Sequence, residues 1–390
     1  MNVKGEGSVR LASLDALRGF DMFFIMGGGL LIRRLCILFG WGEDCALARQ
    51  FVHVAWNGLN FEDMIFPLFL FIAGVSFPYS MAKQLERGRS RGVIALRCAK
   101  RMAVLFLLGL LYGGFFSSFD PATTVFGSVL GRIGIAWFLA AILYLLCGTR
   151  VRVAIAAFIL LAYWMLLLHV PAPDAAQVIV PGNLSAYADG PFSPAANLAG
   201  YLDRLILPGM LTVPGVISNQ GLLSTAPSVV TAMLGMFTGE FMRGRGVSLS
   251  GGRRTLVLFA ASVMLIALGC LVAFGCGSWS MPFNKILWST SFTLAVGGIS
   301  LALFASFHYL IDLREMQSWA FAFQVIGLNS ITIYLLQRLI DFDAVVKMFI
   351  GGFARYLPEC VFGVLVCCGH IVLCWLLLWF LYRNKAFLKV

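Results

Sequence analysis

The sequence predicts an all-α polytopic membrane protein, a bundle of about ten transmembrane helices in a single domain over 1–390, with both termini cytoplasmic. Three observations carry this. Of the 390 residues, 60% are hydrophobic and 12% charged, more apolar surface than a water-soluble globule can hide. Apolar runs of about 18–25 residues recur between short polar turns, the length a helix needs to cross about 30 Å of hydrocarbon, whereas barrel strands would be shorter and would alternate. Finally, when the termini and alternate loops are grouped, about 20 of the 29 Lys and Arg fall on one side, which the positive-inside rule makes cytoplasmic. The net charge of +11 follows from that topology and needs no nucleic-acid partner.

In chain order, the polar first ten residues lead to a span at about 16–39, with Arg10 and Arg18 at its start and Asp21 interrupting it. No small-residue cleavage pattern follows, so it does not read as a removed signal peptide. A second span at about 60–82 ends in a basic loop from Lys83 to Arg101, and spans at about 100–118, 130–148 and 151–169 come next. The cytoplasmic assignment of that loop accounts for its charge, and binding of anionic lipid or ligand phosphates is a second use for it. A long outward loop occupies about 170–224, where Pro171, Pro173, Pro181, Pro191, Pro194, Pro208 and Pro214 rule out a continuous helix. Loops of this length often cover a site, although a tether is the plain alternative. The remaining spans fall at about 225–242, 254–275, 286–310, 317–339 and 359–382, with Asn329 interrupting the ninth. The termini contribute Lys4, Arg10, Arg383 and Lys389 to the cationic side, and the loop at 243–254 contributes Arg243, Arg245, Arg253 and Arg254.

The ten cysteines show no C-x-x-C pair and no zinc-ligand spacing, so they read as small apolar residues, with Cys45, Cys276 and Cys360 near the outward face where a disulfide is chemically allowed. No metal site is expected, and the sequence has no P-loop, G-x-S-x-G or dinucleotide fingerprint. Gly109 with Gly113, and Gly235 with Gly239, have the small-xxx-small spacing of close helix packing.

Chemistry concentrates in VHVAWNGLNFEDMIFPLFLFIAGVSFPYS, Val52 to Ser80, where His53, Trp56, Asn57 and Asp63 stand directly before an apolar helix. A histidine is a base or nucleophile near neutral pH, and a carboxylate can orient its imidazole. The alternative is a wet interfacial loop, with Asp63 in the first helical turn because the positive end of the helix favours a carboxylate. Polar residues at membrane depth cost free energy unless they are paired or line a cavity. They are Asp15, Asp21, Asp63, Arg132, Glu240, Lys285, Asn329, Gln337 and His370. Arg132, in GSVLGRIGIAW, puts a permanent charge in the same outer half as His53, as a site residue or a structural cation. His370 reads as a packing histidine.

RLASLDALRGFDMFFIMGGG, HVAWNGLNFEDMIFPLFLFIAGVS, GRIGIAW, NQGLLSTAPSVVTAMLGMFTGEF and KILWSTSFTLAVGGISLALFASFHYLID followed by VIGLNSITIYLL resemble, in the same order, the heparan-α-glucosaminide N-acetyltransferase family and its bacterial DUF5009 and NagX-like relatives. The resemblance implies a transmembrane acetyltransferase that takes acetyl-CoA from the cytoplasmic side and acetylates the amino group of a glucosamine-type sugar on the other. It places the protein in a bacterial inner membrane, among lipids, where a homodimer is an allowed assembly. His53 matches the family's active-site histidine, Asp63 its acidic residue and Arg132 its arginine. Trp56, Asn57, Arg132 and Asn329 are then expected to contact substrate, and Arg18, Arg97 and Arg101 the charged head of acetyl-CoA. Among its departures from the animal members, Met26 stands where they place a donor-contacting asparagine, the loop from Gly40 to Val52 is longer, and Gly131 replaces a glutamine. An O-acetyltransferase acting on a cell-envelope glycan, or a transporter or flippase with a polar path along Asp63, Arg132, Asn329 and His370, are the competing readings.

Overall fold

The computed structural model describes residues 11–244 and 249–388, so Lys4, Arg10, Arg245 and Lys389 lie outside the described residues. Among the described residues the regular structure is helical, with two isolated β-bridges and no strand. Each apolar stretch of the sequence forms a helix. They are α1 (Ala12–Phe23) continued as α2 (Gly29–Leu38), α3 (Phe61–Glu86), α4 (Arg91–Tyr112), α5 (Val129–Leu146), α6 (Thr149–His169), and, after the short α7 (Leu198–Ile206), α8 (Thr225–Met242). Then come α9 (Gly251–Cys270), α10 (Thr290–Phe307), α11 (Phe321–Leu328) with α12 (Ser330–Leu339), α13 (Phe342–Ile350) and α14 (Glu359–Arg383).

Among the described residues six helices are long and apolar enough to cross a membrane, the makeup of a multi-pass membrane protein: Phe61–Glu86, Val129–Leu146, Thr149–His169, Gly251–Gly275, Thr290–Leu313 and Glu359–Arg383. The other four stretches are divided or more polar. The first bends at a π-helical turn, Phe24–Gly28, where Gly27 has φ +109°, a conformation that costs a side-chain-bearing residue dearly. The ninth breaks at Asn329 (φ −127°, ψ 31°). α4 opens on the basic Arg91–Arg101 stretch, and α8 carries Ser, Thr and Glu240 among its apolar residues.

Burial sorts these helices into centre and rim. The apolar window of α3 is 78% buried, against 22% for α9 and 28% for α6 and α14, whose exposed Phe158, Leu161, Val263 and Phe380 form an apolar outer surface suited to lipid. α3 holds the centre because α8 lies against its backbone. A methyl group on Gly235 would sit 2.1 Å from the Phe71 carbonyl oxygen, and one on Gly239 would sit 2.3 Å from that of Val75. The expected small-residue seam is therefore a backbone-to-backbone contact, and it fixes the helix whose first turn carries Asp63.

The segment at 170–224 is folded onto the bundle. Asn197 caps α7 by accepting from Gly200 N (2.7 Å), and Arg204 pairs with Asp174 (2.6 Å). The fully buried Asp203 accepts from Ser218 N (3.2 Å) and Leu222 N (2.8 Å). Burial raises the Asp203 carboxyl above its ordinary pKa, while the Arg204 hydrogen bond lowers that of Asp174. All ten cysteines are free thiols, including Cys45, Cys276 and Cys360.

Candidate active site

The loop from His53 to Asn60 is held in place before any ligand is considered. Asn60 donates its side-chain amide to the carbonyls of Arg49 (2.9 Å) and Val52 (2.8 Å). Gly58, at φ +136°, donates its N–H to Phe283 O (2.8 Å), which ties the loop to the segment leading into α10. Asn57 completes that tie by accepting from the buried Asn284 amide (3.3 Å).

Within this frame Asp63 does two things at once. Its Oδ2 accepts from the N–H groups of Asn60 (3.2 Å) and Val54 (3.4 Å), capping α3 at its N-terminus. Its Oδ1 lies 2.9 Å from His53 Nδ1. One carboxylate oxygen thus serves the helix cap and the other faces the imidazole. The carboxylate is 1% exposed and the imidazole 58% exposed, so a fixed acceptor anchors a ring that faces open space. A carboxylate only accepts here, so Nδ1 carries the proton and Nε2 keeps its lone pair.

Lys285 joins this pair from the segment before α10. Its Nζ lies 3.5 Å from Asp63 Oδ1, 3.2 Å from His53 Nδ1 and 3.5 Å from His53 Nε2. Burial holds the lysine below its ordinary pKa, with Asp63 and Glu62 opposing the shift. These groups line a cavity of about 430 Å³ together with Glu62, Trp56, Trp288, Tyr334, Phe24, Ile25 and Phe66, and with Asn219 and Gln220 from the end of the long loop. A few polar groups converging in a mostly apolar, concave wall is the makeup of a small-molecule site.

The remaining expected site residues fall into three places. Trp56 lines the cavity, but its indole N–H is donated to Phe192 O (2.9 Å), so it also pins the long loop against the site. Arg132 sits behind the cavity wall, 2% exposed, its guanidinium 5.1 Å from the ring of Trp288. It donates to Ser224 Oγ and to Gly221 O (3.3 Å), leaving Nε and Nη1 without protein partners. Asn329 is elsewhere: its side chain donates to Ala386 O (3.1 Å) and accepts from Leu388 N (3.4 Å), holding the segment that follows α14.

The three arginines expected at the donor's charged head gather around the start of α1, the end of α3 and α4. Arg18 donates to Ser76 Oγ (3.4 Å) and lies 3.6 Å from Asp15. Arg97 donates to Gln84 Oε1 (3.1 Å), and Arg101 stacks on Trp137 at 4.3 Å. Met26, at the position where an asparagine was expected in animal members, is fully buried. Two charged cavity residues carry no site role in the sequence analysis. Lys285 was visible only as a polar residue at membrane depth, and Glu62 only as the neighbour of Asp63; the adjacent acidic pair opening an apolar helix was the available signal.

Residues 10–121, which include His53 and Asp63, match the family described as Domain of unknown function (DUF5009). The chain is 24% identical over 367 residues to heparan-alpha-glucosaminide N-acetyltransferase of Homo sapiens, covering 84% of this chain and 52% of that protein. It is 23% identical over 374 residues to the protein of the same name from Mus musculus, covering 86% and 55%. It therefore spans about half the length of the curated relatives it matches. The chain is thus similar to the heparan-alpha-glucosaminide N-acetyltransferases along most of its own length and to DUF5009 across the part that carries the histidine–aspartate pair.

Proposed function

We propose that this protein is a membrane acetyltransferase that moves the acetyl group of cytoplasmic acetyl-CoA to the amino group of a glucosamine-type sugar on the opposite side. The observation that carries the reading is the His53–Asp63 pair, 2.9 Å apart, with Lys285 beside it in a walled cavity. Asp63 is a positioning residue: by accepting a hydrogen bond from Nδ1–H it turns the Nε2 lone pair toward the acceptor amine. The neutral amine attacks the thioester carbonyl, forming the N–C bond, and His53 Nε2 takes the proton that the nitrogen sheds. The C–S bond then breaks, and His53 Nε2 passes that proton to the CoA thiolate, which leaves as the free thiol and restores the base. The Lys285 ammonium stands close enough to both side chains to stabilise the negative charge that develops on the carbonyl oxygen.

The route of the donor follows from its chemistry. The phosphates of acetyl-CoA stay with Arg18, Arg97 and Arg101, while the slender, mostly uncharged arm passes between helices. An apolar cavity of only about 40 Å³, lined by Met22, Phe69, Leu130 and Ile133, adjoins the His53 cavity through Ile25, Phe66, Val129 and Tyr334, and the helices there would have to part for the arm to pass.

The test is detergent-purified protein with acetyl-CoA and a panel of amino sugars, following thiol release and product mass. Stoichiometric thiol and N-acetyl sugar are expected. Sugar movement into vesicles with no thiol released by any acceptor would replace acetyl transfer with transport.

A further inference from the structure

A second cavity of about 340 Å³ adjoins the first and shares Phe24, Ile25 and Glu62 with it. It contains its own histidine–aspartate pair: His370 Nδ1 lies 2.7 Å from Asp343 Oδ1, and the Gln337 amide nitrogen lies 3.2 Å from His370 Nε2. With Nδ1–H given to the carboxylate and Nε2 accepting from Gln337, both ring nitrogens are engaged. His370 is therefore a fixed part of the wall, unlike His53, whose imidazole is 58% exposed with Lys285 Nζ 3.5 Å from its Nε2. The same bond leaves Gln337 Oε1 as a buried acceptor without a partner, and Arg33, also in this wall, has a buried Nε donor without one.

An unpaired donor and an unpaired acceptor in one cavity restrict what suits it, since each is costly to leave unmade. A phosphate answers only the arginine and an ammonium only the amide oxygen, whereas hydroxyl groups donate and accept and so answer both. Glu62 and Asp343 add negative charge that disfavours a polyanion. Phe51, stacked on Phe24 with ring centroids 5.6 Å apart, supplies an apolar face. We propose that this cavity binds a second, neutral polyhydroxyl unit of the acceptor, so that a disaccharide spans both cavities across Glu62 with its amino sugar at His53. The inference rests on reading the first cavity as the amino-sugar site.

The test is equilibrium binding of glucosamine and of a glucosamine disaccharide to the full chain in detergent, alongside thiol release with each. The disaccharide is expected to bind about tenfold more tightly, the scale of one or two net hydrogen bonds. In Gln337→Leu and in Arg33→Met that advantage should shrink to about threefold or less. Retained binding of the monosaccharide shows that each variant is folded. Equal affinities in the wild type, an advantage that survives both substitutions, or displacement of the disaccharide by glycerol phosphate would each overturn the proposal. Thiol release with glucosamine but no disaccharide advantage sinks the second site alone. A disaccharide advantage without thiol release sinks acetyl transfer and leaves the second site standing, and absence of binding by either sugar overturns both.

Discussion

Replacing Lys285 with methionine keeps the aliphatic stem and removes the charge, which separates the two things the ammonium does. At 3.5 Å from Asp63 its gross attraction is about 5 kcal/mol at an effective dielectric of 20, most of it offset by the cost of drawing the lysine from water. Asp63 keeps two backbone N–H groups and His53, so the stability loss should be about 1.5–3 kcal/mol, the scale of a charge-assisted hydrogen bond. The catalytic loss should be larger in effect: removing one preorganised oxyanion donor costs about 10²–10³ in kcat. The pH profile supplies a readout that packing alone would not move. Because burial lowers the Lys285 pKa, its charge is present below that lowered value and lost as pH rises through it, short of the about 10.4 of an ordinary lysine. Wild-type kcat should therefore fall on an alkaline limb that is missing in Lys285→Met and displaced upward in Lys285→Arg. Thiol release followed from pH 6 to about 10 measures it. A Lys285→Met protein that keeps wild-type kcat and the same alkaline limb would remove the lysine from the mechanism.

His53→Ala should retain acetyl-CoA binding yet lose transfer by about 10² or more, with Asp63→Asn intermediate, measured by donor affinity and thiol release together; wild-type turnover in His53→Ala would return this loop to a purely structural role. An acetyl adduct on wild-type protein mixed with acetyl-CoA alone, absent in His53→Ala by intact mass, would replace the base role with a covalent one. Gly235→Ala should destabilise the bundle by about 2–3 kcal/mol or more, because its methyl group would lie 2.1 Å from a backbone oxygen that cannot rotate away; an unchanged melting temperature in detergent would contradict the close α3–α8 seam. Tags at Met1 and Val390 should be protected from protease in spheroplasts while the segment around Tyr187 is cut, and opposite accessibility of the two ends would overturn the even number of spans.

The sequence by itself determined the helical membrane class and the position of every apolar stretch, because hydrophobicity is a local property and a helix satisfies its own backbone within one segment. It also brought His53 and Asp63 together, since ten residues with Asn60 between them form a loop and a capped first turn whose geometry is settled nearby. The tertiary structure decided the rest. Lys285 reaches His53 across 232 residues, and the pairing of Gly58 with Phe283 and Asn57 with Asn284 helps bring it there. Trp56 and Arg132 were legible as polar-tipped residues near the site, but their partners, Phe192 and Ser224, come from a proline-rich loop whose path no periodicity encodes. Asn329 broke its apolar run as the sequence suggested, yet its partners proved to be Ala386 and Leu388, because the chain after α14 folds back to that break. Glu62 differs from Asp63 by one position and so points to a different face of the first turn, where it stands between two cavities. The second cavity is lined by Gly27, where the chain bends, and a single positive φ is a feature that composition and hydropathy do not carry.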